Sequence, residues 1–303
     1  MAIFRRSFLT LVSLLVLLIL VFFLSRLTGD PSYLFLPVNA TPEARAAFAQ
    51  ANGFDQPLVT QFITYVQNML TGDFGTSLRQ QRPAIDIALE AFPITLKLAG
   101  VTLAIAIAGA LVMGSLAAWK PRGLVDRTVG LTSLAGASAP DFWVAITLVL
   151  IFSVSLGILP TSGMGGIAYW ILPVIVLGLR PFGLLVQVVR GAMIAALSSP
   201  YVKTARAKGA SETRVIFVHA LRNSMLPVIT VAGDIAASLM NGAVIVETIF
   251  GWPGIGGVMI NAILQRDFAV IQATILVTAI AILILNIVVD LLYGVLDPRV
   301  RAA

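Results

Sequence analysis

Long apolar runs alternate along this chain with short, basic, polar segments. A membrane-crossing helix needs about 20 mostly apolar residues, because about 30 Å of hydrocarbon is covered at about 1.5 Å per residue. Six runs reach that length, at residues 7–25, 98–119, 128–156, 168–190, 228–250 and 271–293. Backbone groups in lipid must be paired within the segment, and transmembrane strands would be half as long and would alternate, so these runs predict helices. The first run follows Arg5-Arg6 as a signal peptide would. Its apolar stretch exceeds the usual length of about 7–15 residues and no small-residue cleavage site follows promptly, so it reads as a retained anchor.

Composition agrees with that pattern. Of 303 residues, 58% are apolar and 11% charged, with a mean hydropathy of +0.97, against about 45–50% and about 25% in an average globular chain. This is the composition of an integral membrane protein. There is no cysteine and one histidine, His219, so a disulfide framework, thiolate chemistry and an imidazole metal cage are excluded, and no metal site is expected.

The net charge of +6 gains meaning from its distribution. With the amino terminus placed inside, the inner segments hold Arg5, Arg6, Lys120, Arg122, Arg127, Arg190, Lys203, Arg206, Lys208, Arg214, Arg222, Arg299 and Arg301, thirteen of the twenty basic residues. The outer segments hold Arg26, Arg45, Arg79, Arg82 and Arg266 over a much longer stretch. The positive-inside rule then puts both termini in the cytoplasm. The balance needs no nucleic-acid partner.

Residues 27–97 form one large hydrophilic insert on the outer face. Thr41-Pro42-Glu43 and Gln56-Pro57 open two short helices, the second running to Leu70, with Gly72, Gly75 and Pro83 as breakers. Such a segment is either a docking surface for an extracytoplasmic partner or a passive lid on the bundle. The inner loop between the fourth and fifth runs has a different character. Ser199 is placed to cap a helix with Pro200 at its first position, and Tyr201 to Lys208 read as two turns closed by Gly209. Ser211-Glu212 starts a second helix reaching about Asn223, before Pro227 opens the fifth span. This basic helix, glycine, helix element suits a groove on a soluble protein or, alternatively, a surface of anionic lipid headgroups.

Three ionisable residues fall well inside the runs. Asp141 follows Pro140 near the middle of the third, Arg180 precedes Pro181 near the middle of the fourth, and Asp234 lies about two turns into the fifth. Charges there are costly and mark either a bundle-internal ion pair or contact with a polar permeant. Glu247 and Asp290 lie nearer the interfaces. The glycine-rich segments 162–166 and 251–257 carry no phosphate-loop pattern, and neither a nucleophile elbow nor an H-E-x-x-H signature occurs.

The inner loop carries a family resemblance. Tyr201-Val-Lys-Thr-Ala-Arg-Ala-Lys-Gly209, continuing through His219-Ala-Leu-Arg-Asn223 to Leu226-Pro227, resembles the "EAA" loop of binding-protein-dependent ATP-binding-cassette (ABC) importers, in the form used by the dipeptide/oligopeptide/nickel permease group. Lys203-Thr204-Ala205 occupy the Glu-Ala-Ala places, a departure typical of that group, and Gly209 keeps the glycine. In order along the chain, Gly29-Asp30-Pro31, Asp55-Gln56-Pro57, Gly72 to Ser77, Phe92-Pro93-Ile94-Thr95-Leu96, Leu159 to Gly163, Glu247 to Gly254, Arg266-Asp267 and Asp297-Pro298-Arg299 are similar to landmarks of the group's first permease subunit. Asn241 stands where glycine is usual, and Asp141 where a small or apolar residue is usual. Both departures bear on substrate identity.

The resemblance implies an all-α polytopic membrane protein, six transmembrane helices of the type I ABC importer fold with a small outer insert after the first. The expected division is an anchor helix at 1–27, an extracytoplasmic insert at 28–93, a five-helix transmembrane domain at 94–294 containing a coupling loop at 198–224, and a cytoplasmic tail at 295–303. It implies a multi-pass protein of a bacterial or archaeal inner membrane, non-catalytic by itself, that imports di- or oligopeptides. Implied partners are a second homologous permease as heterodimer, two ATPases using ATP and Mg, an extracytoplasmic substrate-binding protein, and membrane lipid. This chain binds no cofactor of its own. On that reading Tyr201, Lys203, Thr204, Ala205, Arg206, Ala207, Lys208, Gly209, Ala210, Glu212, Arg214, His219 and Arg222 couple to the ATPases. Asp141, Arg180, Asp234, Asn241 and Glu247 are candidates for the substrate pathway, and Trp252, Pro253, Arg266 and Asp267 for docking of the binding protein. The same architecture carrying nickel chelates, glutathione, opines or oligosaccharides is one alternative. An ion-gradient-driven transporter using Asp141, Arg180 and Asp234, or a lipid-binding scaffold, are alternatives of another class.

Overall fold

A computed structural model describes residues 36–77 and 79–296 apart from 38, some helical positions within 12–23, and, at 70, 290 and 292–296, the backbone alone. The ends of the first predicted run, the Gly29-Asp30-Pro31 and Asp297-Pro298-Arg299 landmarks, and Arg5, Arg6, Arg26, Arg299 and Arg301 lie outside the described residues. The elements are α1 (Pro42–Ala51), α2 (Leu58–Leu70), α3 (Ala84–Trp119), α4 (Leu124–Ser138), α5 (Asp141–Ser155), α6 (Ala168–Leu197), α7 (Pro200–Ala207), α8 (Glu212–Ile249), α9 (Ile255–Gln265) and α10 (Phe268–Leu296). The only described strand pairing is an isolated bridge of Thr76 with Pro83.

Four of these helices, α3, α6, α8 and α10, are long and apolar enough to cross a membrane, and a fifth span results if α4 and α5 are one bent crossing. The third predicted run is therefore not a single straight helix. It bends by 104° at Ala139-Pro140, where both residues are extended (ψ 133° and 131°). Proline pushes its predecessor out of the helical region, so Asp141 begins a new helix at the bend instead of continuing a straight one.

Elsewhere proline does not break the chain. The second inner-loop helix was expected to stop near Asn223, with Pro227 opening the next span, yet α8 runs unbroken from Glu212 to Ile249 with Pro227 inside it. Likewise α3 starts at Ala84 and passes through Pro93, so position 93 falls within a helix. An interior proline costs one backbone hydrogen bond, whereas ending a helix leaves four donors or acceptors unpaired, which an apolar environment penalises more. A π-helical stretch, Val215–Ala220, widens α8 just before Pro227.

The chain divides into two compact units. The described part of the first takes in the residues up to Thr95 together with Pro253–Leu283. Its core joins Phe74, Ile87, Ala88 and Ala91 with Ile255, Ala262, Val270 and Ile271. Phe22, from the first run, is buried and stacks on Tyr65 of α2 with ring centroids 5.2 Å apart. The two insert helices form as their local signals require: Thr41 Oγ1 accepts from the Ala44 amide at 3.2 Å with Pro42 at the first helical position, and Pro57 precedes α2.

The second unit comprises Leu96–Trp252 and the residues from Ile284. Here α6 packs against α4 on one side and α8 on another. Close approach of α4 and α6 needs a glycine: a Cβ on Gly183 would sit 2.4 Å from the Ser133 carbonyl oxygen, the small-residue contact by which membrane helices bring their backbones together.

Candidate functional site

The inner loop forms a helical hairpin on the second unit. Helix α7 ends in a left-handed stop at Gly209 (φ 81°). The Gly209 amide donates to the Arg206 carbonyl at 2.9 Å and the Ala210 amide to the Ala205 carbonyl at 3.2 Å, the paired bonds of a glycine C-cap. Ser211 Oγ then accepts from the Arg214 amide at 3.4 Å and starts α8. Ser199 holds the N-cap position of α7 without capping it, because its hydroxyl donates back to the Ala196 carbonyl at 2.5 Å.

Buried Val202 anchors α7 against the π-helical stretch, where Val215, Ile216 and Ala220 are also buried. The exposed side chains are then Tyr201, Lys203, Thr204, Arg206, Ala207, Lys208, Glu212, Arg214 and Arg222, with Ala205, Ala210 and His219 partly covered. A connection that spacing alone did not reveal closes the hairpin. Arg206 Nε and Nη2 donate to Glu212 Oε1 and Oε2 at 2.8 and 3.0 Å, a fork-to-fork pair spanning the glycine turn. The neighbouring carboxylate holds the Arg206 guanidinium above its ordinary value.

Of the ionisable residues inside the runs, the fold brings together some and separates others. Asp141, Arg180 and Asn241 line one cavity of about 410 Å³, with Ser238 beside them and Leu177, Leu184, Ile235 and Leu239 among the apolar walls. Asp234 does not line it, although Asp234, Ser238 and Asn241 share an exposed stripe of α8 at spacings of four and three. Glu247 is buried at 1% exposure, away from that cavity. The expected pairing of Arg180 with Asp141 or Asp234 is not formed among the described residues, whose ion pairs lie elsewhere.

One of those pairs joins residues that no motif along the chain links. Arg190 of α6 grips Asp126 of α4 through both carboxylate oxygens, Nη2 lying 2.8 Å from Oδ2, and the Arg122 amide donates to Oδ2 at 2.7 Å. Its signal was available, since both residues flank apolar runs next to basic segments.

In the first unit, landmarks far apart in sequence meet. The Ser77 hydroxyl donates to Asp267 Oδ2 at 2.5 Å, and the Ile255 amide, at the start of α9, donates to Thr95 Oγ1 at 2.9 Å. Asp267 is thus a buried structural acid at 4% exposure, while Arg266 before it is exposed in a left-handed conformation (φ 53°). Both line a cavity of about 440 Å³ with Asp73, Gln61 and Tyr65. Trp252 is likewise buried, at 2%, its ring edge-on to Trp170 at 4.9 Å in the second unit. Its side chain is enclosed by its own chain, whereas Pro253 is exposed.

Sequence comparison places this geometry. Residues 110–302 match the family model described as "Binding-protein-dependent transport system inner membrane component", and residues 1–99 match the N-terminal model of the same systems' membrane component. The chain belongs to this family. Relatives of the inner-membrane component include the di/tripeptide transport system permease protein DppB of Pseudomonas aeruginosa, 39% identical over 93% of each chain, and the glutathione transport system permease protein GsiC of Salmonella choleraesuis, 39% identical over 95% of each. In fold it resembles the methionine ABC transporter MetNI in inward-facing form, with a TM-score of 0.59, 14% identity, and coverage of 70% of this chain and 96% of that one. The chain is accordingly a multi-pass inner-membrane permease of the type I ABC importer fold.

Proposed function

We propose that this permease forms, with a second homologous permease, the pathway through which an ATP-driven importer carries short peptides. Two ATPases would dock on the loop at 198–224, and an extracytoplasmic substrate-binding protein on the outer insert at 28–93 and around Pro253 and Arg266. The observation that carries this reading is the hairpin around Gly209. It presents a basic, exposed, internally latched surface and continues without interruption into the 38 residues of α8. Motion imposed on the hairpin would be carried along α8 to Asp234, Ser238 and Asn241.

The thirteen basic residues of the inner segments support cytoplasmic termini and a cytoplasmic hairpin. ATP and Mg belong on this reading to the ATPases, and the permease contributes coupling and a route. The peptide class rests on the names of the relatives, and the polar stripe of α8 suits a permeant rich in hydrogen-bonding groups.

Gly209→Val provides the test. Nothing lies within 4 Å of a Cβ added there, but φ is +81°, so the change strains the backbone without a clash. In the reconstituted importer the variant should keep membrane insertion and ATP hydrolysis and lose most peptide uptake. Unchanged uptake would overturn the coupling role. Uptake by this chain alone in liposomes would favour a gradient-driven transporter instead.

A further inference from the structure

Asp141 and Arg180 bring opposite charges to one cavity of about 410 Å³ without joining each other. No ion pair links them. Asp141 begins α5 just after the Pro140 bend, and Arg180 lies midway along α6, exposed on the surface of this chain. A guanidinium in a membrane span does not face lipid without heavy cost, and separated opposite charges in a low-dielectric site are each under-solvated. A small molecule carrying both an amino group and a carboxylate would satisfy the two at once. Asn241 on the same lining offers an amide that can both donate to and accept from a peptide bond, and the Ser238 hydroxyl, which donates to the Ile235 carbonyl at 2.8 Å, keeps its oxygen as an acceptor for a peptide N–H. Leu177 and Leu239 supply apolar wall for a side chain, and the volume falls within the range of about 300–1,000 Å³ usual for small-ligand pockets.

We infer that this cavity is a transit site for short unblocked peptides, with Asp141 receiving the free amino terminus and Arg180 the free carboxylate. The inference rests on the peptide-import reading above and adds the recognition of both termini within the membrane. It makes the permease, and not the binding protein alone, a filter against blocked peptides.

The importer, with its ATPases but without ATP or binding protein, is embedded in nanodiscs and titrated with Ala-Ala, N-acetyl-Ala-Ala and Ala-Ala amide by calorimetry. Wild type should bind Ala-Ala at least tenfold more tightly than either blocked form. Asp141→Asn should abolish discrimination against the acetylated peptide and keep that against the amide. Arg180→Gln should do the reverse, and Asp141→Glu and Arg180→Lys should largely retain both. No saturable binding to wild type, discrimination unchanged in both variants, or loss of both kinds together in one variant would overturn the site. In parallel, Ala-Ala uptake is measured in proteoliposomes with the binding protein and ATP. Absence of uptake there would defeat the peptide reading itself, whereas uptake with unaltered discrimination in the variants would defeat only the transit site.

Discussion

Ser77 and Asp267, 190 residues apart, meet in a buried hydrogen bond of 2.5 Å. The contact joins the turn after α2 to the start of α10, where Asp267 Oδ1 also accepts weakly from the Val270 amide at 3.5 Å. Two short strings that carry the family resemblance, Gly72 to Ser77 and Arg266-Asp267, are therefore one structural joint.

Removing that joint should be costly. Asp267→Asn leaves the buried site without its charged acceptor, and a loss of about 1–3 kcal/mol is expected, against about 1 kcal/mol for Ser77→Ala. Thermal unfolding in detergent should show the double variant less destabilised than the sum of the singles. Strict additivity would show that the bond contributes nothing.

The pair at the α4–α6 contact makes a sharper case. Asp126 is 6% exposed and Arg190 30%. Asp126→Ala strands a half-buried guanidinium and should cost about 1–3 kcal/mol, below the roughly 3–5 kcal/mol of a fully buried pair. Asp126→Ala combined with Arg190→Leu should recover part of the loss, measurable as a rise in the unfolding midpoint over the single variant.

The hairpin pair should behave differently. Arg206 and Glu212 are 43% and 46% exposed, so Arg206→Ala should change stability by no more than about 0.2–1 kcal/mol. On the coupling role proposed for the hairpin, its effect should appear as fewer peptides imported per ATP hydrolysed, and exchange of the two charges should restore that ratio. Equal coupling in Arg206→Ala and wild type would show the latch to be incidental.

At the α4–α6 crossing, Gly183→Ala pushes a methyl toward a backbone oxygen that cannot rotate away. Overpacking there should destabilise the second unit by about 1–3 kcal/mol. Gly191, whose Cβ would meet nothing within 4 Å, should accept alanine with little change, and the two unfolding midpoints compared side by side check the argument.

The two serines at inner helix starts give a contrast within a few residues. Ser211→Ala removes a capping bond, worth about 0.5–2 kcal/mol in general and near the low end at its 3.4 Å length. Ser199→Ala removes none, since that hydroxyl points back to Ala196. Amide hydrogen exchange should speed at the start of α8 in the first variant and stay unchanged at the start of α7 in the second.

What the sequence determined on its own are features whose physics is local. Apolar run length announced the membrane helices, Thr41-Pro42 and Pro57 opened α1 and α2, and Gly209 stopped α7, because each signal acts over a few residues of backbone. The family landmarks were legible in the same way, as short strings in order. What only the tertiary structure decided depends on which distant groups come within bonding reach. Pro140 breaks its run while Pro227 does not, since the outcome depends on whether the surroundings hold the flanking backbone helical. Asp126 meets Arg190 across 64 residues, and Asp267, a docking candidate in the sequence, turns inward to Ser77. Arg180 and Asp141 share a cavity yet stay unpaired, because the bend at Pro140 places the start of α5 beside α6, and no spacing along the chain encodes that placement.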